Sequence, residues 1–160
     1  AILLSILTER PNATGVGLDA SLPAIVVARA NAEALGLGQR VAFQHREWEA
    51  AIGAFDIIVS NPPYIRSYEI AGLEPEVARY EPHLALDGGA DGLDAYRRIA
   101  PVITRVVRPG GLFALEIGQG QAEAVWALTC EAGLQPLSVR KDLNGIDRLV
   151  WGTRPPQQHG

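Results

Sequence analysis

Hydrophobic and polar residues along the chain follow helical and strand periods in turn. The helical period predicts helices at 1–10, 22–37, 93–107 and 121–132. Short apolar or alternating runs predict strands at 13–19, 40–45, 54–60, 112–117, 134–141 and 148–152. This order is typical of an α/β fold with a mostly parallel sheet. The Asn144-Gly145 pair is a strong turn signal and predicts an antiparallel hairpin at the end.

The predicted helix 22–37 has the clearest boundaries. Ser21 is a good N-cap, and Gly36 and Gly38 are expected to end the helix. One face of the helix is apolar and is expected to be buried; it carries Ile25, Ala28, Ala32 and Leu35. In the later helices, Pro101 predicts a bend and Cys130 is expected to be a small buried residue.

Composition narrows the range of functions. With 160 residues, of which 48% are hydrophobic, the chain is long enough for one domain with a core. A net charge of −4 argues against a dedicated nucleic-acid binder, although it leaves a nucleic-acid enzyme with a small basic patch open. The single cysteine and three histidines show no metal-ligand spacing, and a lone cysteine fits a reducing compartment. No segment reads as a membrane span or signal peptide, so we expect a cytoplasmic protein.

The segment 61–92 contains prolines and glycines, and its hydrophobic residues follow neither a helical nor a strand period. A loop of this length inside a compact domain is usually functional. It begins with Asn61-Pro62-Pro63-Tyr64, directly after the predicted buried strand 54–60. In an open α/β sheet, ligands bind beyond the carboxyl ends of the strands. The sequence therefore places this tetrapeptide where a ligand is expected.

The residue types in this tetrapeptide suit a planar NH₂ group. Pro62 and Pro63 fix φ and remove two N–H donors, so the local backbone offers acceptors only. The Asn61 side-chain oxygen adds an acceptor, and the Tyr64 ring can cover a flat group. The alternative is a rigid turn, which is what Asn-Pro alone favours. The whole tetrapeptide after an apolar strand favours the functional interpretation.

Other candidate residues have two interpretations each. Asp19, at the end of a predicted strand, could bind ribose hydroxyls or form an Asx turn before Ser21. Trp48, next to Glu47, could cover an adenine ring, but a core tryptophan under a loop is the better interpretation of the residue alone. For Glu116 a structural role is favoured, either capping the next helix or contacting the loop after Tyr64.

Together these residues resemble the HemK/PrmC family, the protein-(glutamine-N5) methyltransferases that modify peptide-chain release factors. The resemblance extends to about Gly152. The Asn-Pro-Pro-Tyr motif is shared with adenine-N6 and cytosine-N4 methyltransferases, so the segments after it are more specific. These segments are Tyr80-Glu81-Pro82, Ala85-Leu86-Asp87-Gly88-Gly89, Asp91-Gly92-Leu93, Leu115-Glu116-Ile117-Gly118 with Gln121, and the hairpin residues Asp142, Gly145 and Arg148.

The resemblance implies a Rossmann-like class I methyltransferase fold, with S-adenosylmethionine as donor and S-adenosylhomocysteine as product. It assigns Asp19 to the ribose hydroxyls and Trp48 to the adenosine, with Glu47 nearby. Asn61 would lie between donor and acceptor. Asn61, Pro62, Pro63 and Tyr64 would bind the glutamine amide, with Asn61 and Pro62 as the catalytic pair. The expected substrate is a release factor with its Gly-Gly-Gln glutamine, which connects the chain to translation termination.

The chain departs from the family at its beginning. The family's first strand and glycine-rich loop are missing, and spacing from Asp19 places that loop just before residue 1. We therefore expect an N-terminally truncated catalytic domain at 1–152 and a disordered tail at 153–160. Unpaired strand edges would make this piece alone poorly folded or inactive.

Three other functions stay open at this point. They are amino-methylation of adenine or cytosine in DNA or RNA, glutamine methylation of a ribosomal protein, and a non-catalytic remnant that only binds a partner. The negative net charge and the segment from Glu81 to Leu93 favour a release factor over a nucleic acid as substrate. No direct binding to a nucleic acid is expected.

Overall fold

The computed structural model describes residues 1–73 and 82–156. Its α-helices are α1 (Ile2–Glu9), α2 (Leu22–Ala34), α3 (His83–Leu86), α4 (Asp94–Val106) and α5 (Ala122–Glu131). Its strands are β1 (Gly15–Asp19), β2 (Val41–His45), β3 (Phe55–Ser60), β4 (Val107–Glu116), β5 (Gln135–Lys141) and β6 (Asp147–Thr153). Of the helices in these ranges, none combines the length and apolar character needed to cross a bilayer.

The chain divides into two compact units, Ala1–Ile52 and Gly53–Gly160. The physical reason is that the strands form two separate sheets. Among the described strands, β1 pairs only with β2, and β3 pairs only with β4. Within the described residues, one edge of β1 and one edge of β3 therefore have no strand partner.

The first unit packs α1 and α2 with a parallel pair of strands. β1 and β2 run in register from Gly15 opposite Val41 to Asp19 opposite His45. The core of this unit contains Leu4, Leu7, Ala32 and Leu37.

Helix α2 begins where the sequence predicted and ends earlier. The Ser21 hydroxyl accepts a hydrogen bond from the Ala24 N–H at 3.3 Å, which confirms the N-cap. Gly36 adopts a φ of +68°, so the helix ends at Ala34 instead of residue 37. The predicted buried face was partly wrong, because Leu35 lies past this end and is 56% exposed.

Arg40 holds the end of α1 and the loop after it. Its guanidinium donates to four backbone oxygens at 2.9 to 3.2 Å, those of Leu7, Arg10, Pro11 and Ala13. Helix C-termini and irregular loops leave carbonyl groups without backbone partners, so one planar cation satisfies several of them at once.

The second unit is a four-stranded sheet in the order β3-β4-β6-β5. β3 and β4 are parallel, whereas β6 is antiparallel to both β4 and β5, so the predicted terminal hairpin is confirmed. Helices α4 and α5 pack with the sheet. The largest fully buried side chains in this unit are aromatic or branched; they include Tyr96, Phe113, Ile103, Leu115, Ile117, Val125 and Val150.

Three details of this unit differ from the sequence predictions. β4 begins at Val107 instead of residue 112, because the Pro109-Gly110-Gly111 turn forms an irregularity within the strand and Gly110 pairs with Arg154. β6 extends through Thr153, and Arg154 also bonds to Val107 and Gly111, so the ordered chain continues two residues into the predicted tail. Cys130 is exposed instead of buried.

We predict that Arg40→Ala lowers the free energy of unfolding of the first unit by about 2 kcal/mol, because it leaves several carbonyls without a charged donor. The measurement is hydrogen exchange of the β2 amides in the full-length protein. Arg10→Ala is the matched control, since it removes an exposed arginine but keeps the backbone oxygen that Arg40 contacts. Equal losses in the two variants would contradict this role of Arg40.

Candidate functional site

The Asn61-Pro62-Pro63-Tyr64 segment begins at the carboxyl end of β3. Ser60, the last residue of β3, lies opposite Leu115 in the parallel ladder with β4. Pro62 is fully buried, Pro63 and Tyr64 are half-buried, and Asn61 is exposed. The buried proline anchors the segment, and the asparagine side chain is accessible to a ligand.

Two oxygens of this segment are hydrogen-bond acceptors, the side-chain oxygen of the exposed Asn61 and the carbonyl oxygen of the buried Pro62. Among the described residues, neither the Asn61 side chain nor the Pro62 carbonyl has a hydrogen-bond partner. The prolines contribute no N–H. The segment therefore has two acceptor oxygens without a partner among the described residues, and the half-buried Tyr64 is not sealed in the interior.

Backbone pairing with the later part of the loop holds the chain after Tyr64. The Ile65 N–H donates to the Leu86 oxygen at 3.0 Å, and the Gly88 N–H donates to the Ile65 oxygen at 2.8 Å. The Ser67 hydroxyl donates to Asp87 at 2.7 Å. These bonds fix the exit of the tetrapeptide in the same way that the β3 ladder fixes its entry.

Gly88 permits the close approach of the two loop arms. A Cβ at this position would lie 2.9 Å from the Tyr64 Cα and 2.9 Å from the Gly92 Cα. Because these are backbone atoms, which cannot rotate away, any larger residue would push the arms apart. The glycine explains part of the Asp87-Gly88-Gly89 motif in physical terms.

Gln121, the N-cap residue of α5, joins this loop to β4. The residue is nearly buried, with 9% of its surface exposed. The amide nitrogen donates to the Tyr64 oxygen at 3.0 Å and to the Gly92 oxygen at 3.2 Å, while the amide oxygen accepts from the Gly118 N–H at 2.9 Å. Sequence reasoning assigned no role to Gln121; the available signal was a polar residue at the start of a helix after glycines.

Tyr96 supports the strand beneath the site. Its ring is fully buried in α4, and its hydroxyl donates to the Glu116 carbonyl at 2.8 Å. Burial, together with the nearby Tyr64, raises the pKa of the Tyr96 hydroxyl well above its usual value, so it acts as a neutral donor. Within the described chain the Glu116 carboxylate forms no helix cap; Gln121 occupies the capping position.

A charged cluster stabilises the turn that carries Gly92. Arg97 contacts Asp91 at 3.0 Å and Asp94 at 2.8 Å, and Asp91 also accepts from the Leu93 N–H at 3.1 Å. The Arg97 hydrogen bond is the main cause that lowers the pKa of Asp91 from 3.8 to about 2. The turn therefore retains its charged partner throughout the neutral pH range.

The candidates in the first unit have a separate arrangement. Asp19 is exposed at the carboxyl end of β1, and its Oδ1 accepts from the Ser21 N–H at 2.8 Å, which is the Asx turn that the sequence offered as one alternative. Over the described ranges, Oδ2 has no partner, so one acceptor oxygen remains for a ligand. Trp48 is half-buried in a 3₁₀ turn, and the adjacent Glu47 is exposed.

Tyr80 and Glu81, which are part of the family resemblance, lie outside the described residues. In the part of the chain that is described, no three His, Cys, Asp or Glu side chains are grouped as ligands for a metal ion.

Comparison with known proteins shows what this chain is similar to. Residues 5–74 match a family described as RMKL-like, methyltransferase domain. The chain is 54% identical to the release factor glutamine methyltransferase of Caulobacter vibrioides over 97% of this chain and 54% of that protein. It is 51% identical to the protein of the same name from Rhodospirillum rubrum, over 96% of this chain and 47% of that one. The chain is homologous to the release factor glutamine methyltransferases. It spans about half the length of these curated relatives.

Solved structures support the fold. A methyltransferase from Pyrococcus furiosus matches with a TM-score of 0.70 and 15% identity, over 96% of this chain and 69% of that one. An RNA methyltransferase from Salinibacter ruber, solved with S-adenosyl-L-homocysteine, matches with a TM-score of 0.59 and 19% identity, over 98% of this chain and 75% of that one. The chain has the Rossmann-like class I methyltransferase fold that the family resemblance implied.

We predict that Arg97→Gln raises the pKa of Asp91 from about 2 toward 3.8, because its main charged partner is removed. The folded-state pKa of Asp91 is depressed, so its contribution to stability is present above pH 3.8 and is lost as the pH falls toward 2. A ¹³C NMR titration of the aspartate carboxyls measures the change. Arg140→Gln, which removes an exposed arginine from β5, should leave the Asp91 titration unchanged; a shift of equal size there would refute the assignment.

Proposed function

We propose that this chain is the acceptor-orienting and donor-binding part of an enzyme that methylates the side-chain nitrogen of a glutamine in a peptide-chain release factor. The observation that carries the proposal is the pair of unpartnered acceptors, Asn61 and the Pro62 carbonyl, on a segment fixed at both ends. The high identity to curated release factor glutamine methyltransferases supports the choice of substrate.

The residues of the first unit fit S-adenosylmethionine. A ribose offers hydroxyl donors, and Asp19 presents an exposed carboxylate with one oxygen unpartnered within the described residues. Trp48 supplies a partly accessible aromatic surface of the kind that covers an adenine ring, with Glu47 next to it. In this proposal Asp19, Glu47 and Trp48 hold the donor, and Asn61 binds the amide that receives the methyl group.

When bound, S-adenosylmethionine supplies an electrophilic methyl group and leaves as S-adenosylhomocysteine. The chain's own task is to prepare a weak nucleophile, since the lone pair of an amide nitrogen is delocalised into its carbonyl. The Asn61 side-chain oxygen and the Pro62 carbonyl oxygen accept hydrogen bonds from the two N–H groups of the glutamine amide. These bonds orient the amide nitrogen. The Tyr64 ring covers the plane of the amide.

The same two acceptors stabilise the positive charge that develops on the nitrogen during methyl transfer. They remain hydrogen-bonded to the two protons until one of these is lost to water afterwards. No strong base is needed for this loss, because an alkylated amide nitrogen that carries a positive charge is very acidic. This accounts for a site built from an asparagine, prolines and a tyrosine.

We predict that Asn61→Ala lowers kcat for methyl transfer by about 100-fold or more, since it removes one of two groups that stabilise the developing charge. Donor affinity, measured by calorimetry, should weaken only slightly. The assay follows transfer of a labelled methyl group to a release factor by the full-length protein. Asn31→Ala, which changes an exposed asparagine in α2, is the control. Unchanged turnover in Asn61→Ala would overturn the catalytic role.

We predict that the full-length protein methylates the glutamine of a Gly-Gly-Gln release factor and leaves adenine-containing DNA unmodified. An assay with labelled methyl donor that contains both the release factor and the DNA tests which substrate is methylated. Mass spectrometry identifies the modified residue. A Gln-to-Glu change at the methylated position of the release factor should abolish transfer. A carboxylate has no N–H that could donate a hydrogen bond to Asn61 or to the Pro62 carbonyl. Transfer to DNA in preference to the release factor would replace this proposal with base methylation.

A further inference from the structure

The side-chain amide of Gln121 is a junction between three separate segments. It contacts the Tyr64 oxygen at 3.0 Å, the Gly92 oxygen at 3.2 Å and the Gly118 N–H at 2.9 Å. These atoms belong to the chain after β3, the turn before α4 and the chain after β4. With 9% of its surface exposed, Gln121 makes these bonds where water competes little.

The chemistry of the three partners dictates the orientation of the amide. Two of them are carbonyl oxygens, which only an NH₂ group can satisfy, and the third is an N–H, which needs an acceptor. An amide of this length provides both functions. A carboxylate would place an anionic oxygen against the Tyr64 and Gly92 carbonyls, and a methionine would fill the space without any hydrogen bond.

The neighbouring glycines show how closely the junction is packed. A Cβ on Gly92 would lie 2.6 Å from the Gln121 amide nitrogen and 2.6 Å from the Tyr64 oxygen. A Cβ on Gly118 would lie 2.8 Å from the Gln121 amide oxygen and 3.0 Å from the Tyr64 ring. Both glycines therefore leave the space that the Gln121 amide and Tyr64 share.

The bond to Tyr64 acts on the whole tetrapeptide. Ser60 is fixed by the β3–β4 ladder, and the carbonyl of Tyr64 is fixed by Gln121. Between them, Pro62 and Pro63 have restricted φ and transmit a change at one end to the other. The placement of the Asn61 and Pro62 acceptors therefore depends on where Gln121 holds Tyr64.

We infer that Gln121 is a positioning residue: through the Tyr64 carbonyl it sets the geometry of the acceptors that orient the substrate amide. This inference rests on the proposed function for its catalytic consequence. Gln121 touches no reacting atom, so its loss should mainly reduce kcat and have less effect on donor affinity.

The experiment compares Gln121→Met and Gln121→Glu with the unaltered full-length protein. Gln121→Met should lower kcat by about 10- to 100-fold, because small displacements of a positioned group have effects of this size. Gln121→Glu should be equally impaired at neutral pH. As the pH falls, protonation lets the introduced carboxyl donate to the Tyr64 oxygen and accept from Gly118, so the activity of this variant relative to the unaltered protein should rise.

Gln135→Glu is the matched control. It makes the same chemical change at an exposed position in β5 of the same unit. Its kcat should stay within about twofold of the unaltered protein, with a parallel pH profile.

A readout without turnover is the ¹⁹F resonance of 3-fluorotyrosine placed at position 64. We expect it to shift or broaden in Gln121→Met and to stay unchanged in Gln135→Glu. A folded Gln121→Met protein with an unchanged resonance overturns the inference, and so does a kcat within about twofold of the unaltered protein. If Gln121→Met does not fold, a pH profile of Gln121→Glu parallel to that of the unaltered protein overturns it. If the unaltered protein transfers no methyl group, the proposed function fails, while the resonance still decides whether Gln121 sets the loop.

Discussion

The parallel ladder between β3 and β4 is the constraint on which the candidate site depends. Parallel strands end at the same edge of a sheet, so the chain leaving Ser60 and the chain leaving Glu116 emerge side by side. This brings together residues 57 positions apart in sequence, Tyr64 and Gln121. The hydrogen bond between Tyr64 and Gln121 can hold the loop in place because the β3–β4 ladder fixes the carboxyl ends of both strands, from which the two segments begin.

The polar groups of the site differ in whether they have a hydrogen-bond partner inside the protein. The Tyr64 carbonyl is satisfied inside the protein, by Gln121, whereas the Asn61 side chain and the Pro62 carbonyl have no partner among the described residues. Under the proposed function, these two oxygens would accept hydrogen bonds from an NH₂ group and would repel a carboxylate, which would favour glutamine over glutamate as the methyl acceptor.

The sequence predicted the elements and the position of the tetrapeptide well, because apolar runs and turn residues are local signals. The hairpin at Asn144-Gly145 and the cap at Ser21 are examples. It predicted less well where a contact distant in sequence decides the outcome. The irregularity at residues 109–111 arises in the pairing of β4 with β3, and Thr153 is placed by its pairing with Leu112 of β4. The contacts of Gln121 depend on Tyr64 and Gly92. No local pattern records such partners.

The two units contain different parts of the proposed chemistry. The groups assigned to the acceptor amide all belong to Gly53–Gly160, whereas Asp19, Glu47 and Trp48 belong to Ala1–Ile52. The acceptor segment is fixed at both ends by bonds within its own unit. The Asp19 carboxylate is likewise oriented within its own unit, by Ser21. Each set of groups is therefore pre-organised by local contacts, which is why acceptor geometry and donor affinity should respond separately to substitution.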